Sequence, residues 1–284
     1  MKHKPDKLAE LAQQYEKAGF ISGIQILSTQ DAAYHRTCLE AAEAAVGQSM
    51  HYLNKVHTVM PSAYEIATHP RLLDVVERLI GPDIKLYNAT FIIKEPRGTA
   101  FVSWHQDLTY WGFDGADQVS AWVALSPANA ISGCMEMLPG SHKTGIQPHT
   151  TAEDVDNILL QSQKLSGLDT AEAQLCELAP GEASLHHGWT IHASQPNHSA
   201  DRRIGLNVQF IRPSMRQIKA VVDTAMLVRG TDAYGHFAPD HPATEWEPEI
   251  AARRLAASST KYQAIAGRQN RDEAAQPQRT QCVD

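Results

Sequence analysis

The spacing of apolar positions changes along the chain. Near the start, Leu8, Leu11, Tyr15 and Ala18 recur at helical spacing, which predicts an amphipathic helix ahead of Gly19. A short apolar run at 23–27 reads as a strand. Residues 28–31, Ser-Thr-Gln-Asp, then offer an N-cap to an Ala-rich helix that stops at Gly47. Residues 69–81 carry Leu72, Leu73, Val76, Leu79 and Ile80 as one stripe and end at Gly81-Pro82, the pattern of a helix packed on a core. Residues 84–96 follow as a strand.

Beyond residue 100 the pattern becomes β-rich. Segments 100–113, 118–128, 134–142, 182–194 and 203–213 are punctuated by Gly, Pro, Asn and Asp, as turns between strands would be. They predict a mainly β protein, an antiparallel barrel or sandwich flanked by the earlier helices. Residues 143–177 are polar and irregular, with a helix expected near 152–165; so long a loop in a compact domain suits a lid. Residues 247–265 predict another helix, and 267–284 a flexible tail. No repeat or linker divides the chain. A single domain over 1–266 is expected, with helical support at 1–83, the β core at about 84–213 and a helical segment at 214–266.

Composition narrows the function classes. Of 284 residues, 43% are hydrophobic and 20% charged, ordinary for a globular protein. The net charge of −7 supplies no basic field for nucleic acid. No apolar run approaches the length of a membrane span, and the basic start lacks the apolar region of a secretory signal. Cys38, Cys134, Cys176 and Cys282 are widely separated, with no C-x-x-C, and read as reduced thiols in a cytoplasmic protein.

Histidine is the compositional oddity, at 14 residues. One stretch, Trp104-His105-Gln106-Asp107, places an imidazole and a carboxylate two apart. With 14 His and 16 Asp in 284 positions, about one H-x-D pair is expected by chance, so the pair alone proves nothing. A strand would turn both side chains to one face, where they could hold adjacent positions on a metal. A third ligand is available from His186, His187 or His192, read as one strand-like segment. Two His and one carboxylate form the facial triad of non-haem Fe(II) oxygenases.

Five stretches together resemble the phytanoyl-CoA dioxygenase family of Fe(II)/2-oxoglutarate oxygenases. They are WHQD (104–107), SAWVAL (120–125), MEMLPGSHKTG (135–145), PGEASLHHGWTIHASQPN (180–197) and DRRIGLNVQFIRP (201–213), in order over about half the chain. The resemblance implies a double-stranded β-helix, a jelly-roll or cupin-like barrel. It selects His192 as the third ligand and Arg203, eleven residues later, as the anchor for the far carboxylate of 2-oxoglutarate. A guanidinium fork suits that carboxylate chemically. Ser194 matches a family serine that helps hold the co-substrate, and Asn88 and Trp122 resemble positions lining its pocket. Trp111 and Gln106 are placed near the substrate by their distance from His105. His186 and His187 are then structural or supporting groups, since the triad is complete without them. The segment at 234–237 could fold back over the site.

The implied cofactors are Fe(II), 2-oxoglutarate and O2, and the implied partner is a small-molecule substrate. Halogenases in the same broad family replace the metal carboxylate with a small residue; Asp107 stands there in this chain, which favours hydroxylation. Two other classes compete: a cupin-like metalloenzyme that does not use 2-oxoglutarate, and a non-catalytic ligand-binding barrel. Arg203 argues against the first and an intact triad against the second.

Overall fold

The computed structural model describes residues 7–151, 154–159, 163–220 and 222–275, with side chains to residue 265. Four helices and one strand open the chain: α1 (Lys7–Ala18), β1 (Phe20–Gln25), α2 (Thr29–Val46), α3 (Pro61–Ala67) and α4 (Pro70–Ile80). Ser28 caps α2, its hydroxyl accepting from the Asp31 backbone N–H at 3.0 Å. Gly47 ends that helix at φ 68°, a left-handed conformation that costs glycine little.

The β region follows as β2 (Ile84–Lys94), β3 (Val102–His105), β4 (Gln118–Ala124), β5 (Met135–Met137), β6 (Thr150–Thr151), β7 (Gln163–Lys164), β8 (Gln174–Cys176), β9 (Glu182–His187), β10 (His192–Ser194), β11 (Arg203–Ile211), β12 (Thr224–Arg229) and β13 (Ala238–Pro239). A one-turn helix, α5 (Leu108–Trp111), lies between β3 and β4, and α6 (Pro248–Ala275) comes last. A seven-stranded sheet has the order β1-β9-β4-β11-β2-β12-β13, and a four-stranded sheet the order β3-β10-β5-β8. The sheets do not close into a barrel, so the expected architecture stands as two open sheets.

Five local expectations are corrected. The segment 214–266, expected to be helical, first carries β12 and β13, which extend the large sheet, before α6 begins at Pro248. The first strand lies at Phe20–Gln25, with a register shift between Ile21 and Ile24, not at 23–27. Residues 108–111 are helical, though aromatic enrichment there suggested strand. The helix expected near 152–165 is not seen in its described part, which is turn and short strand; 152–153 and 160–162 lie outside the described residues. The last helix continues to Ala275, past the expected start of the tail, and 276–284 lie outside the described residues. No helix among the described residues is long and apolar enough to cross a membrane.

The large sheet is two-faced because its strands alternate. Ile204, Leu206, Val208 and Phe210 of β11 join Ala89, Phe91 and Ile93 of β2 in one apolar layer. That layer packs against Leu39 of α2, Ile66 of α3 and Leu72 and Val76 of α4. The opposite face is polar although buried. Register sets its side chains in rows: Asn88, Gln209, Ser120 and His186 in one, Thr90, Asn207, Trp122 and Ser184 in the next, and Lys94 beside Arg203 at the end.

Among the groups that join these layers is His51, whose Nδ1 accepts the Ile93 backbone N–H at 3.0 Å. Burial, then the nearby Arg203 charge, pushes its pKa down to about 4. The unfolded chain therefore takes up the proton first as pH falls. Stability is full above the ordinary histidine value of 6.5 and is lost as pH falls from there toward 4. For His51 alone this is ~2 kcal/mol at pH 5. The urea midpoint of the metal-free protein is expected to drop between pH 7.5 and 5, less steeply in His51→Gln. A midpoint indifferent to pH would contradict this.

Candidate active site

His105 and Asp107 come together differently from the strand-alternation expectation. The strand β3 ends at His105, and Asp107 has helical backbone angles (φ −58°, ψ −47°) at the entry to α5. The helical bend, not a pleat, returns the carboxylate toward the imidazole. His186 and His192 also do not share a strand: β9 belongs to the large sheet and β10 to the small one. His192 pairs directly with His105 across β10 and β3, and their rings lie 4.1 Å apart.

His105, Asp107 and His192 offer ligand atoms that all lie within 4.8 Å of one another. Asp107 Oδ1 is 3.3 Å from His105 Nε2 and 3.7 Å from His192 Nε2. His105 Nδ1 faces the Ser103 carbonyl at 2.9 Å and His192 Nδ1 the Thr190 carbonyl at 3.0 Å. A carbonyl only accepts, so both Nδ1 atoms carry the proton and both Nε2 atoms point a lone pair at the carboxylate oxygen. Three converging lone pairs without a proton between them repel; a divalent cation is the group that fits them.

The carboxylate is oriented from the large sheet. Ser120 Oγ donates to Asp107 Oδ2 at 2.6 Å and His186 Nε2 donates to the same oxygen at 3.2 Å, while Gln118 Nε2 steadies Ser120 at 2.8 Å. His186 is thus a donor to Asp107, with its Nε2 protonated and not free to bind metal. Burial alone would push the Asp107 carboxyl up; the hydrogen bond from His186 is among the contacts that outweigh burial and hold it well below the usual range. Burial and the neighbouring imidazoles push His192 well down, so it is neutral and able to ligate.

A cleft extends from this triad in two lobes. One is lined by His192, Ser194, Trp122, Met135 and Arg203. Arg203 is 1% exposed, and its Nε and Nη1 have no partner among the described residues. Burial pushes its pKa down to about 10, still charged at neutral pH. The Trp122 ring lies 4.5 Å from the guanidinium carbon. Gly205 makes that stack possible, since a Cβ there would stand 2.1 Å from the indole. Lys94, paired with Arg203 across β2 and β11, donates to Ser194 Oγ at 2.6 Å. Its burial, then the Arg203 charge, pushes its pKa down to about 6. Adjacent Arg202 points the other way and is matched by Glu43 at 2.7 Å and Glu95 at 3.0 Å.

The other lobe, also bounded by His105 and Asp107, includes Asn88, Thr90, Asn207, Gln209, Trp111 and Tyr262. Asn88, expected beside Ser194 and Trp122, belongs to this second lobe, where it accepts from Lys55 N and donates to Asn54 Oδ1. Gln106, expected at the substrate, is fully buried away from both lobes. Its amide donates to the Gly145 and Trp189 carbonyls and accepts from Gln147 N, so it ties down the loop after β5. In the 234–237 segment only Phe237 turns inward, packing with Tyr87 and Trp111; Tyr234 is exposed.

Five contributors went unnoticed in the sequence: Lys94, Ser120, Asn207, Gln209 and Tyr262. The strand pattern held a signal for Asn207 and Gln209, because β11 alternates Arg203, Gly205, Asn207 and Gln209 with four large apolar residues. Tyr262 left none, since helical periodicity does not say which element the helix covers.

These features find a family. The chain belongs to the phytanoyl-CoA dioxygenase (PhyH) family, whose model matches residues 4–205. It is 30% identical over 162 residues to a probable alpha-ketoglutarate-dependent hypophosphite dioxygenase of Stutzerimonas stutzeri, covering 55% of this chain and 56% of that one. The chain spans about half the length of the curated relatives it matches. Among solved structures it resembles the apo form of the non-heme monooxygenase ThoJ, with a TM-score of 0.79 and 28% identity over 92% of this chain and 99% of that one. The epimerase SnoN, solved with Fe3+, alpha ketoglutarate and nogalamycin RO, shares the fold at a TM-score of 0.64 and 19% identity, over 85% and 97% of the two chains.

Two outcomes follow from the geometry. Ser120→Ala removes a donor to Asp107 and is expected to weaken Co(II) binding about tenfold in a metal titration. Gly205→Ala displaces Trp122 from Arg203 and is expected to weaken 2-oxoglutarate binding while leaving Co(II) affinity within about threefold. Unchanged affinities in these variants would contradict the roles given to Ser120 and Gly205.

Proposed function

We propose that the chain is an Fe(II)/2-oxoglutarate-dependent dioxygenase that hydroxylates an unactivated C–H bond of a small molecule. The observation that carries this is Arg203: a buried cation with no carboxylate beside it among the described residues, in a lobe that opens onto three converging metal-type ligands. A buried charge is normally paired, so the lobe suits a ligand that brings an anion. His105, Asp107 and His192 would hold Fe(II). Arg203, with Lys94 and Ser194, would hold the far carboxylate of 2-oxoglutarate, and Trp122 would close one side. An incoming carboxylate would also favour the protonated form of Lys94.

The bound metal with 2-oxoglutarate and O2 supplies the oxidising chemistry, in which succinate and CO2 form and one oxygen atom goes to the substrate carbon. The protein supplies what surrounds it. Ser120 and His186 fix the carboxylate, the two backbone carbonyls fix the imidazole tautomers, and the buried sheet faces exclude water. With Asp107 in the metal carboxylate position, hydroxylation is favoured over halogenation. We also read residues 7–265 as one catalytic unit, because both sheets and α6 line the same cleft. The free thiols of Cys38, Cys134 and Cys176 support a reducing, cytoplasmic setting.

Succinate formation from 2-oxoglutarate tests this reading. It is expected to require Fe(II) and O2 and to be abolished in Asp107→Ala. In Arg203→Ala the KM for 2-oxoglutarate is expected to rise at least about thirtyfold, since losing one partner of a buried charge pair costs about 2–5 kcal/mol. Metal-dependent activity indifferent to 2-oxoglutarate would overturn the reading in favour of a cupin-like metalloenzyme.

A further inference from the structure

We propose that the lobe opposite Arg203 takes a compact, uncharged substrate rich in hydroxyl groups, of the polyol or sugar-like class, and not an acyl-CoA thioester. This rests on the oxygenase reading above and deepens it.

The floor of the lobe is the polar face of the large sheet beyond the metal triad. Asn207 and Gln209 project from β11 and Thr90 from β2, in adjacent rows. Gln209 Oε1 and Thr90 Oγ1 are buried with no partner among the described residues, as is Oδ1 of Asn207, which lines both lobes where they meet. A buried polar group left unpaired costs about 1–3 kcal/mol, so three on one surface point to a ligand that satisfies them. An amide offers one acceptor and two donors whichever way it is turned, and a hydroxyl answers both.

Charge narrows the class. Among the described residues, no Lys, Arg, Asp or Glu other than Asp107 lines this lobe. The charged groups of the adjoining space are matched among themselves. Lys55 Nζ pairs with Asp240 at 2.9 Å, and Asp223 is held by Lys261 at 3.0 Å and the Tyr87 hydroxyl at 2.7 Å. A phosphate or carboxylate on the substrate would meet no free cation among these residues. The phosphates of an acyl-CoA would have to lose their water uncompensated.

The walls fit the same class. Trp111 and Tyr262 stand 5.3 Å apart and, with Tyr110, present aromatic surface of the kind that packs on the C–H edges of a ring-shaped polyol. Metal ligands stand at one end and hydrogen-bonding groups along the floor, so a held polyol would present a C–H bond toward the triad.

The test uses the full chain with Fe(II) and 2-oxoglutarate and reads succinate formation with three sets of compounds. They are neutral polyols and glycosides (myo-inositol, methyl glucoside, sucrose), charged analogues (glucuronate, glucose 6-phosphate) and acyl-CoA thioesters (hexanoyl-CoA, palmitoyl-CoA). Binding of 2-oxoglutarate is measured separately without O2. At least one neutral polyol is expected to raise the rate about tenfold or more. Gln209→Leu and Thr90→Val should each raise its KM about tenfold, as loss of one hydrogen bond to the ligand would, with 2-oxoglutarate affinity changed less than about threefold. If 2-oxoglutarate binds but charged or acyl-CoA compounds stimulate more, or no neutral polyol stimulates, the substrate class is overturned and the oxygenase reading stands. If the wild-type protein does not bind 2-oxoglutarate, both are overturned together.

Discussion

A guanidinium buried without an anion is among the costliest groups a fold can carry. Arg203 is in that state, and its surroundings reflect it. Trp122 lies over its face, Gly205 gives up a side chain so the indole can reach it, and Ser194, held by Lys94, adds a polar group to the lobe. The neighbouring Arg202, one residue away and on the opposite face, is paired with two glutamates in the ordinary way. The contrast separates an arginine paired within the fold from one left without a partner among the described residues.

Strand alternation lets the same sheet do both jobs. Its apolar face is held by helices α2 to α4, so the polar face can stay buried and still be rigid. Along β11 that face runs from the Arg203 anchor, past the metal triad, to the amides of the second lobe. The small sheet brings His105 and His192 together, and the large sheet orients Asp107 through Ser120 and His186. The ligand set therefore depends on two sheets facing each other across a cleft. Local mutations in either sheet are felt at the metal.

Much of this was legible in the chain. The long strands at 84–96 and 203–213 and the helix over 69–81 stand out by period, and the family resemblance picks out His105, Asp107, His192 and Arg203. What escaped has physical causes. Strand logic alone placed His105 and Asp107 together for the wrong reason, because a one-turn helix is too short to show a period. Residues 182–194 look like one strand because the turn between β9 and β10 contains apolar and aromatic residues. Gln106 attracted a substrate role by adjacency, yet its amide is consumed by backbone partners far along the chain, which sequence cannot display. Tyr262 depends on where α6 docks, a tertiary fact.

The central claim is that a metal bound by His105, Asp107 and His192 and a 2-oxoglutarate anchored on Arg203 share one cleft. Adding Fe(II) and then 2-oxoglutarate to the metal-free protein in the absence of O2, while recording the visible spectrum, tests it most directly. A weak charge-transfer band that needs both additions, is absent in Asp107→Ala and requires much more 2-oxoglutarate in Arg203→Ala is the predicted result. Tight Fe(II) binding with no band and no measurable affinity for 2-oxoglutarate would contradict the account.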